Sequence, residues 1–242
     1  MAVTDSAIAA IRSMIVSGEL QPGDRLPPEA ALGARLGLSR NSLREAVRAL
    51  SLIRVLDVRQ GDGTYVTNLA PSMLVEAISF IIDLHEDSSI VELLQMRRIL
   101  EPAAVELAAH GIDDAGLAQV RAILDRTGPQ SSAEELLAAD LEFHRTVNSY
   151  CGNSYLSATI EGISGPTARA RIWRGITESG SLERTLAEHE AIYAALAAGR
   201  ADVAGAWSRV HIAGVEMWVA QQADLAAQGP AQGRAGRQPG SP

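Results

Sequence analysis

Four side chains with metal-binding chemistry fall where apolar residues are expected. Asp140 and His144 stand one helical turn apart and share a face with Leu137 and Val147. His189 interrupts the stripe Leu182, Leu186, Tyr193, Leu196, and His211 interrupts the stripe Ala204, Trp207, Val215, Trp218. Three of the five histidines and one aspartate are thus directed inward on three helices. A buried carboxylate without a partner is costly, so Asp140 needs one. Two arrangements stay open. A divalent cation can gather the four groups, or Asp140 and His144 can pair by hydrogen bonding while the other two histidines are satisfied within the core. One carboxylate with neutral imidazoles suits Zn, Ni, Co, Fe or Mn. Arg97 is a further charge on an apolar stripe, with Leu93, Leu100, Ala104 and Leu107. An inward guanidinium needs an anion, from the protein or from a ligand. Glu188 and Glu190 flank His189 and are expected to point away from its stripe. That leaves a metal-dependent hydrolase or lyase without a general base, so the chain does not read as an enzyme. His85 and His110 fall at helix ends and read as surface residues.

A second chemistry belongs to arginine. Arg40, Arg44 and Arg48 recur every fourth residue, opposite the apolar stripe Leu43, Val47, Leu50. Such a helix can lie in a DNA major groove, where arginine pairs with guanine edges or holds phosphates. Residues 25–59 hold 7 arginines and 3 acidic residues in a chain whose net charge is −8 and which has no lysine. A basic segment on an acidic body points to a polyanion partner for the N-terminal part alone.

The elements that must position these groups read clearly. An amphipathic helix spans 4–18, a turn covers 21–24, and a short helix runs from about 28 to 36. Gly37 stops it and Ser39 caps the next helix, 40–52. Two short strands, 54–59 and 64–67, flank Gly61-Asp62-Gly63 as a hairpin. Helices follow near 72–84, 88–110, 113–127, 131–151, 153–175, 181–199 and 201–226. The fold class is mostly α: an N-terminal winged helix-turn-helix domain with a small β-hairpin wing, then an all-α antiparallel helical bundle. The expected domains are 1–69, 70–227 and a disordered tail, 228–242, rich in Gly, Pro, Gln and Ala. Aromatic residues make up only 4% of the 242 residues, which suits packed helices better than a β-sandwich. Cys151 is the only cysteine, so no intrachain disulfide and no cysteine-based metal site can form. No apolar run is long enough for a membrane span, and no signal peptide is evident, so a cytoplasmic protein is expected.

The runs Pro22-Gly23-Asp24-Arg25-Leu26-Pro27-Pro28-Glu29, Leu38-Ser39-Arg40-Asn41-Ser42-Leu43-Arg44-Glu45-Ala46 and Arg59-Gln60-Gly61-Asp62-Gly63-Thr64-Tyr65-Val66 resemble the winged-helix domain of the GntR superfamily. The resemblance implies DNA contacts from Arg25, Ser39, Arg40, Asn41, Arg44 and Arg48, with Gln60 and Gly61 at the wing tip. Two positions depart from it. Ala30 stands where an arginine often follows the glutamate. Arg54 replaces the glycine usual before the first wing strand, which implies a different turn there.

The later runs Met96-Arg97-Arg98-Ile99-Leu100-Glu101-Pro102, Asp140-Leu141-Glu142-Phe143-His144, Gly152-Asn153 and Glu188-His189-Glu190-Ala191-Ile192, with His211, resemble the FCD effector domain of the FadR subfamily. By that resemblance Asp140, His144, His189 and His211 bind a divalent metal ion (Zn, Ni, Mn, Co or Fe). A small organic or sugar acid takes the remaining positions, with Arg97 gripping its far end and Arg171 beside it. Arg169 also lies near the expected cup, and Asn153 caps the helix that follows it. The implied protein is a regulator, a repressor by the commoner sign, that binds pseudo-palindromic double-stranded operator DNA as a homodimer. The alternatives are a sensor for which the ion itself is the signal and, less favoured, the hydrolase or lyase.

Overall fold

The computed structural model describes residues 3–71, 73, 75, 78, 82, 90–128 and 130–228. The expected helix 72–84 and the tail 228–242 lie largely outside these residues, as does His85. The chain divides into two compact units, Met1–Met73 and Leu74–Pro242.

In the first unit, helices α1 (Val3–Val16), α2 (Glu29–Leu36) and α3 (Arg40–Leu52) precede strands β1 (Leu56–Arg59) and β2 (Gly63–Val66). Gly37 ends α2 in the left-handed conformation, φ 67°. The Ser39 side chain then accepts a hydrogen bond from Ser42 N and starts α3. The two helices meet at Gly33, where a methyl group would stand 3.0 Å from Leu38 O and 3.2 Å from Leu43 Cδ1. Ile11, Leu32, Leu43, Leu50, Leu56 and Val66 close one core beneath them. The strands pair antiparallel from Leu56↔Val66 to Arg59↔Gly63. Gly61, φ 78°, supplies the left-handed turn residue of the three-residue connection. Arg54 carries φ 57°, a left-handed conformation that ordinarily favours glycine.

The second unit is helical: α4 (Ile90–Gly111), α5 (Asp114–Asp125), α6 (Ala133–Ser149), α7 (Ser154–Ser164), α8 (Ala168–Thr177), α9 (Ser181–Ala197) and α10 (Ala201–Gln228). The helix expected over 153–175 is two helices. Pro166 follows Gly165 and lacks a donor, so the chain turns there before α8 begins. A capping box of Ser132 and Glu135 fixes the start of α6, and Asn153 caps α7. Long helices α4 and α10 pack together, α9 packs on α10, and α6 packs on both α5 and α8. Phe143, Val147, Ile192, Leu196 and Ala204 belong to the core between them.

Both expected stripes hold in part, with Leu93, Arg97 and Ala104 buried on α4 and Ala204, His211 and Val215 on α10. On α4 the buried side runs through Leu94, Arg97, Glu101 and Val105, while Leu107 is 45% exposed. On α10, Ser208 is buried and Trp207 is 39% exposed.

Candidate metal centre and nucleic-acid interface

Asp140 and His144 on α6, His189 on α9 and His211 on α10 are brought together in the second unit. One ligand atom from each lies within 4.8 Å of all the others. His211 Nε2 is 3.2 Å from His144 Nε2 and 3.3 Å from His189 Nε2. Asp140 Oδ1 is 3.6 Å from Nε2 of both His144 and His189. Two nitrogens held by one ion at about 2.1 Å stand roughly 3.0 Å apart at a right angle and about 3.4 Å apart at the tetrahedral angle. The two nitrogen–nitrogen spacings, 3.2 and 3.3 Å, fall between these values, and the Asp140 oxygen stands slightly farther out at 3.6 Å.

The far sides of two rings explain their orientation. His211 Nδ1 is 2.8 Å from Glu188 Oε2, and His144 Nδ1 is 2.9 Å from Glu101 Oε2. At His211 the hydrogen-bonded Glu188 carboxylate holds the proton at Nδ1 and leaves Nε2 with a bare lone pair, and at His144 the Glu101 charge beside Nδ1 favours the same tautomer. Two bare lone pairs at 3.2 Å repel unless a cation lies between them. The donor set therefore fits a divalent metal, and a proton shared on His144 is its rival. Glu188 does not point away from the histidine stripe, as spacing suggests. It turns across α9 to reach α10. Glu190 is the one on the outer face, paired with Arg121 at 2.6 Å.

Electrostatics give Asp140, His189 and His211 the ligand states a metal needs, while His144 is biased toward its protonated form. Burial alone would raise the Asp140 carboxyl, but the Arg171 charge and the histidines hold it well below the usual range. Burial, then repulsion from His211, keeps His189 well below an ordinary histidine. Burial also lowers His211, with Glu188 opposing. At His144 burial is outweighed by Glu101, and the ring titrates above the usual value. Burial would raise Glu101 too, yet Arg97 and His144 pull it far down.

The arginines divide between two tasks. Arg97, 1% exposed, donates from Nε to Glu101 Oε1 at 2.6 Å and from Nη1 to Thr167 Oγ1 at 3.1 Å. Its anion is a protein carboxylate, and it does not line the neighbouring cavity. Arg171 does line it. Its Nη1 bonds Asp140 Oδ2, and its Nη2 donates to Ser164 O at 2.8 Å. Burial, followed by the like charge of Arg97, lowers Arg171 to about 10. The cavity has a volume of about 240 Å³ and is bounded by Asp140, His189 and His211 at one end. The side chain of Arg169 lies outside the description. Sequence reasoning missed Glu101, Glu188, Thr167 and Arg174. Only Glu101 carries a local signal, standing four residues after Arg97.

In the first unit Ser39, Arg40, Asn41, Arg44 and Arg48 are all exposed on α3 or at its cap. Arg44 lies 3.5 Å from Glu29 and Arg48 2.7 Å from Glu45. Among the described residues Arg40 has no carboxylate partner. Gln60 and Gly61 are exposed at the hairpin tip. Arg59 stacks over Tyr65 at 4.2 Å. Arg25 bridges to β2 at Tyr65 and its Nη2 donates to Asp62 O. A methyl group at Gly63 would collide with the Arg25 guanidinium. Arg25 thus props the hairpin turn.

A helix-turn-helix with a two-stranded wing, followed by an all-helical unit around a buried Asp/His cluster, is the build of a DNA-binding transcriptional regulator with an effector domain. Residues 3–66 match the bacterial regulatory proteins of the gntR family, and residues 92–214 match the FCD domain. The chain belongs to the GntR family and carries an FCD effector domain, consistent with the FadR-like subfamily. It is 32% identical over 209 residues to the HTH-type transcriptional regulator LutR of Bacillus subtilis (strain 168), spanning 84% of this chain and 94% of the relative. It is 26% identical over 199 residues to the galactonate operon transcriptional repressor of Escherichia coli (strain K12), spanning 80% and 86%. The solved structure of Streptococcus agalactiae GntR superposes with a TM-score of 0.65 at 25% identity, covering 89% of this chain and 99% of that one. These relatives are transcriptional regulators. No helix among the described residues is long and apolar enough to cross a membrane.

Proposed function

We propose that this regulator reads a pseudo-palindromic operator as a homodimer and that a small carboxylate bound at a divalent metal sets its operator affinity. Asp140, His144, His189 and His211 would hold the cation, which supplies an electrophilic anchor for a carboxylate. The observation that carries the reading is the convergence of three imidazole Nε2 atoms and Asp140 Oδ1 beside a cavity. Glu101 and Glu188 hold two rings in the ligating tautomer, and Arg171 fixes Asp140 through its second oxygen. On an ion that accepts six ligands, four protein donors leave two positions for an acid.

Arg40, Asn41, Arg44 and Arg48 would face base edges and phosphates, with Ser39, Gln60 and Gly61 at the backbone. Arg25 contributes by propping the wing, and Arg97 by holding Glu101 behind His144. The acid acts by population shift: it binds one state of the dimer better, and operator affinity changes by the same differential. Repression is the proposed sign, in keeping with the galactonate operon repressor it resembles.

The test is metal analysis of purified protein, then melting of metal-loaded and chelator-stripped samples with small acids. One metal per chain, with acids raising the melting temperature of the loaded form alone, is the expected result. Metal-free protein with no response to acids would reduce the cluster to a structural polar group and leave the DNA-binding unit standing.

A further inference from the structure

The cavity beside the cluster carries more information than its metal-facing end. Its wall is largely apolar, formed by Leu136, Leu137, Ile172, Leu182, Leu186 and Val215. Four hydroxyls also line it, and three are engaged with backbone: Thr127 with Leu124 O, Ser131 with Gly128 N, and Ser181 with Arg174 O. Each keeps some capacity, but these few hydroxyls on a wall of aliphatic side chains are fewer than a polyhydroxylated acid needs, at a cost for each hydroxyl left unpaired.

Arg174 is the exception on this wall. It is 5% exposed, and its Nε donates to Glu178 Oε2 at 2.6 Å. Its Nη1 and Nη2 have no hydrogen-bond partner among the described residues. A methyl group at Gly214 would lie 3.3 Å from both, so the guanidinium rests against α10 where a side chain is missing. Gly214 is three residues after His211, and Arg174 is three residues after Arg171. The unpartnered fork thus stands about one helical turn, roughly 5 Å, from the Asp/His cluster along both helices. Glu178 does not neutralise this end. It also accepts from Arg184 Nη2 at 2.6 Å, leaving two guanidiniums on one carboxylate. A buried, forked, net-positive group on an apolar wall matches a carboxylate in bidentate geometry.

We infer that the effector is a short diacid: one carboxylate at the metal end, the second on the Arg174 fork, and an unhydroxylated chain across the leucines between them. This rests on the metal-anchored reading above and adds to it a ligand class and a specificity residue.

The experiment is calorimetric titration of metal-loaded, full-length protein with glutarate, butyrate and gluconate. Glutarate should bind roughly tenfold or more tightly than butyrate, in line with hydrogen bonds to a charged group, and gluconate no better than butyrate. Arg174→Gln should collapse the glutarate preference toward unity while butyrate affinity and metal content stay within about twofold. Gly214→Ala, whose methyl presses the fork by a few tenths of an ångström, should reduce the same preference by a smaller factor, and it serves if Arg174→Gln loses its metal or its fold. Equal binding of glutarate and butyrate, tighter binding of gluconate, or a preference that survives both substitutions would overturn the diacid assignment. In those cases butyrate bound only to loaded protein leaves the metal anchor intact. No acid binding to loaded protein removes both.

Discussion

The two units use one residue type in opposite ways. In the head, Arg40, Arg44 and Arg48 extend into solvent from an exposed helix face. In the helical unit the side chains of Arg97, Arg171 and Arg174 are buried, and each is tied to a carboxylate. An exposed guanidinium has little to lose by mutation except its external partner, because surface ion pairs contribute about 0–1 kcal/mol. A buried one is bound to its counter-charge, and removing either strands the other. Function on the head should therefore be separable from stability. In the helical unit the two should be coupled wherever a substitution strands a buried charge, as at the Arg97–Glu101 pair.

The largest expected effect tests that contrast directly. Glu101 is fully buried between Arg97 and His144. Glu101→Ala leaves Arg97 with Thr167 alone and should lower the unfolding free energy by about 3–5 kcal/mol. Urea denaturation of the full chain measures it. A loss under about 1 kcal/mol would show that Arg97 finds another acceptor and that the buried network is looser than its distances suggest.

Next in size is Glu188→Ala. Its carboxylate orients His211 from behind without facing the cluster centre. Such outer partners typically change metal affinity by about 10–100-fold. Competition with a chelator should show a drop of that order, with the helical content unchanged. Unaltered affinity would mean that packing alone holds the His211 ring and that Glu188 does not support the ligand.

On the head, Arg44→Ala should weaken operator binding by about 1–3 kcal/mol if Arg44 reads a base. Metal content and melting temperature should not move. The salt dependence sharpens the assignment. A phosphate contact lowers the slope of log K against log salt by about one and weakens all sequences alike, whereas a base contact relaxes specificity at one position. Operator affinity equal to the parent protein would remove Arg44 from the interface.

The same contrast governs how much was legible in sequence. The head is built from local signals, and its elements lie where those signals put them. Gly37 ends α2, Ser39 starts α3, and Gly61 turns the hairpin. The four metal-capable residues were legible for a related reason, since each breaks an apolar stripe on its own helix. Their supports were not. Glu188 reaches from α9 to a ring on α10, and nothing local to residues 187–190 announces that crossing. Glu101 reads as a surface charge until Arg97, one turn earlier, is known to face inward. The stripe Leu93, Arg97, Leu100, Ala104, Leu107 put Leu107 on the buried face of α4 and left Glu101 off it, because periodicity cannot distinguish a paired buried carboxylate from a solvated one. Pro166 was the missed local signal: it divides 153–175 and so sets the start of α8, which carries Arg171 and Arg174.

The smallest effect concerns the one place where the head departs from its own local logic. Arg54 holds φ 57°, a conformation that disfavours a side chain by roughly 1–2 kcal/mol. It is exposed and enters the wing, where Thr67 Oγ1 donates to its carbonyl at 2.8 Å. Arg54→Gly relieves the steric strain but adds freedom to the unfolded chain, so the two terms partly cancel. A net gain of about 0.5–1 kcal/mol in unfolding free energy is expected, read by denaturation of the full chain or of its first transition if the units melt apart. Operator affinity should fall slightly at low salt, since one positive charge leaves the basic segment. No gain in stability would mean that the contacts of the Arg54 side chain offset its backbone strain. The head would then contain, at its wing, a small version of the coupling between charge and stability that dominates the helical unit.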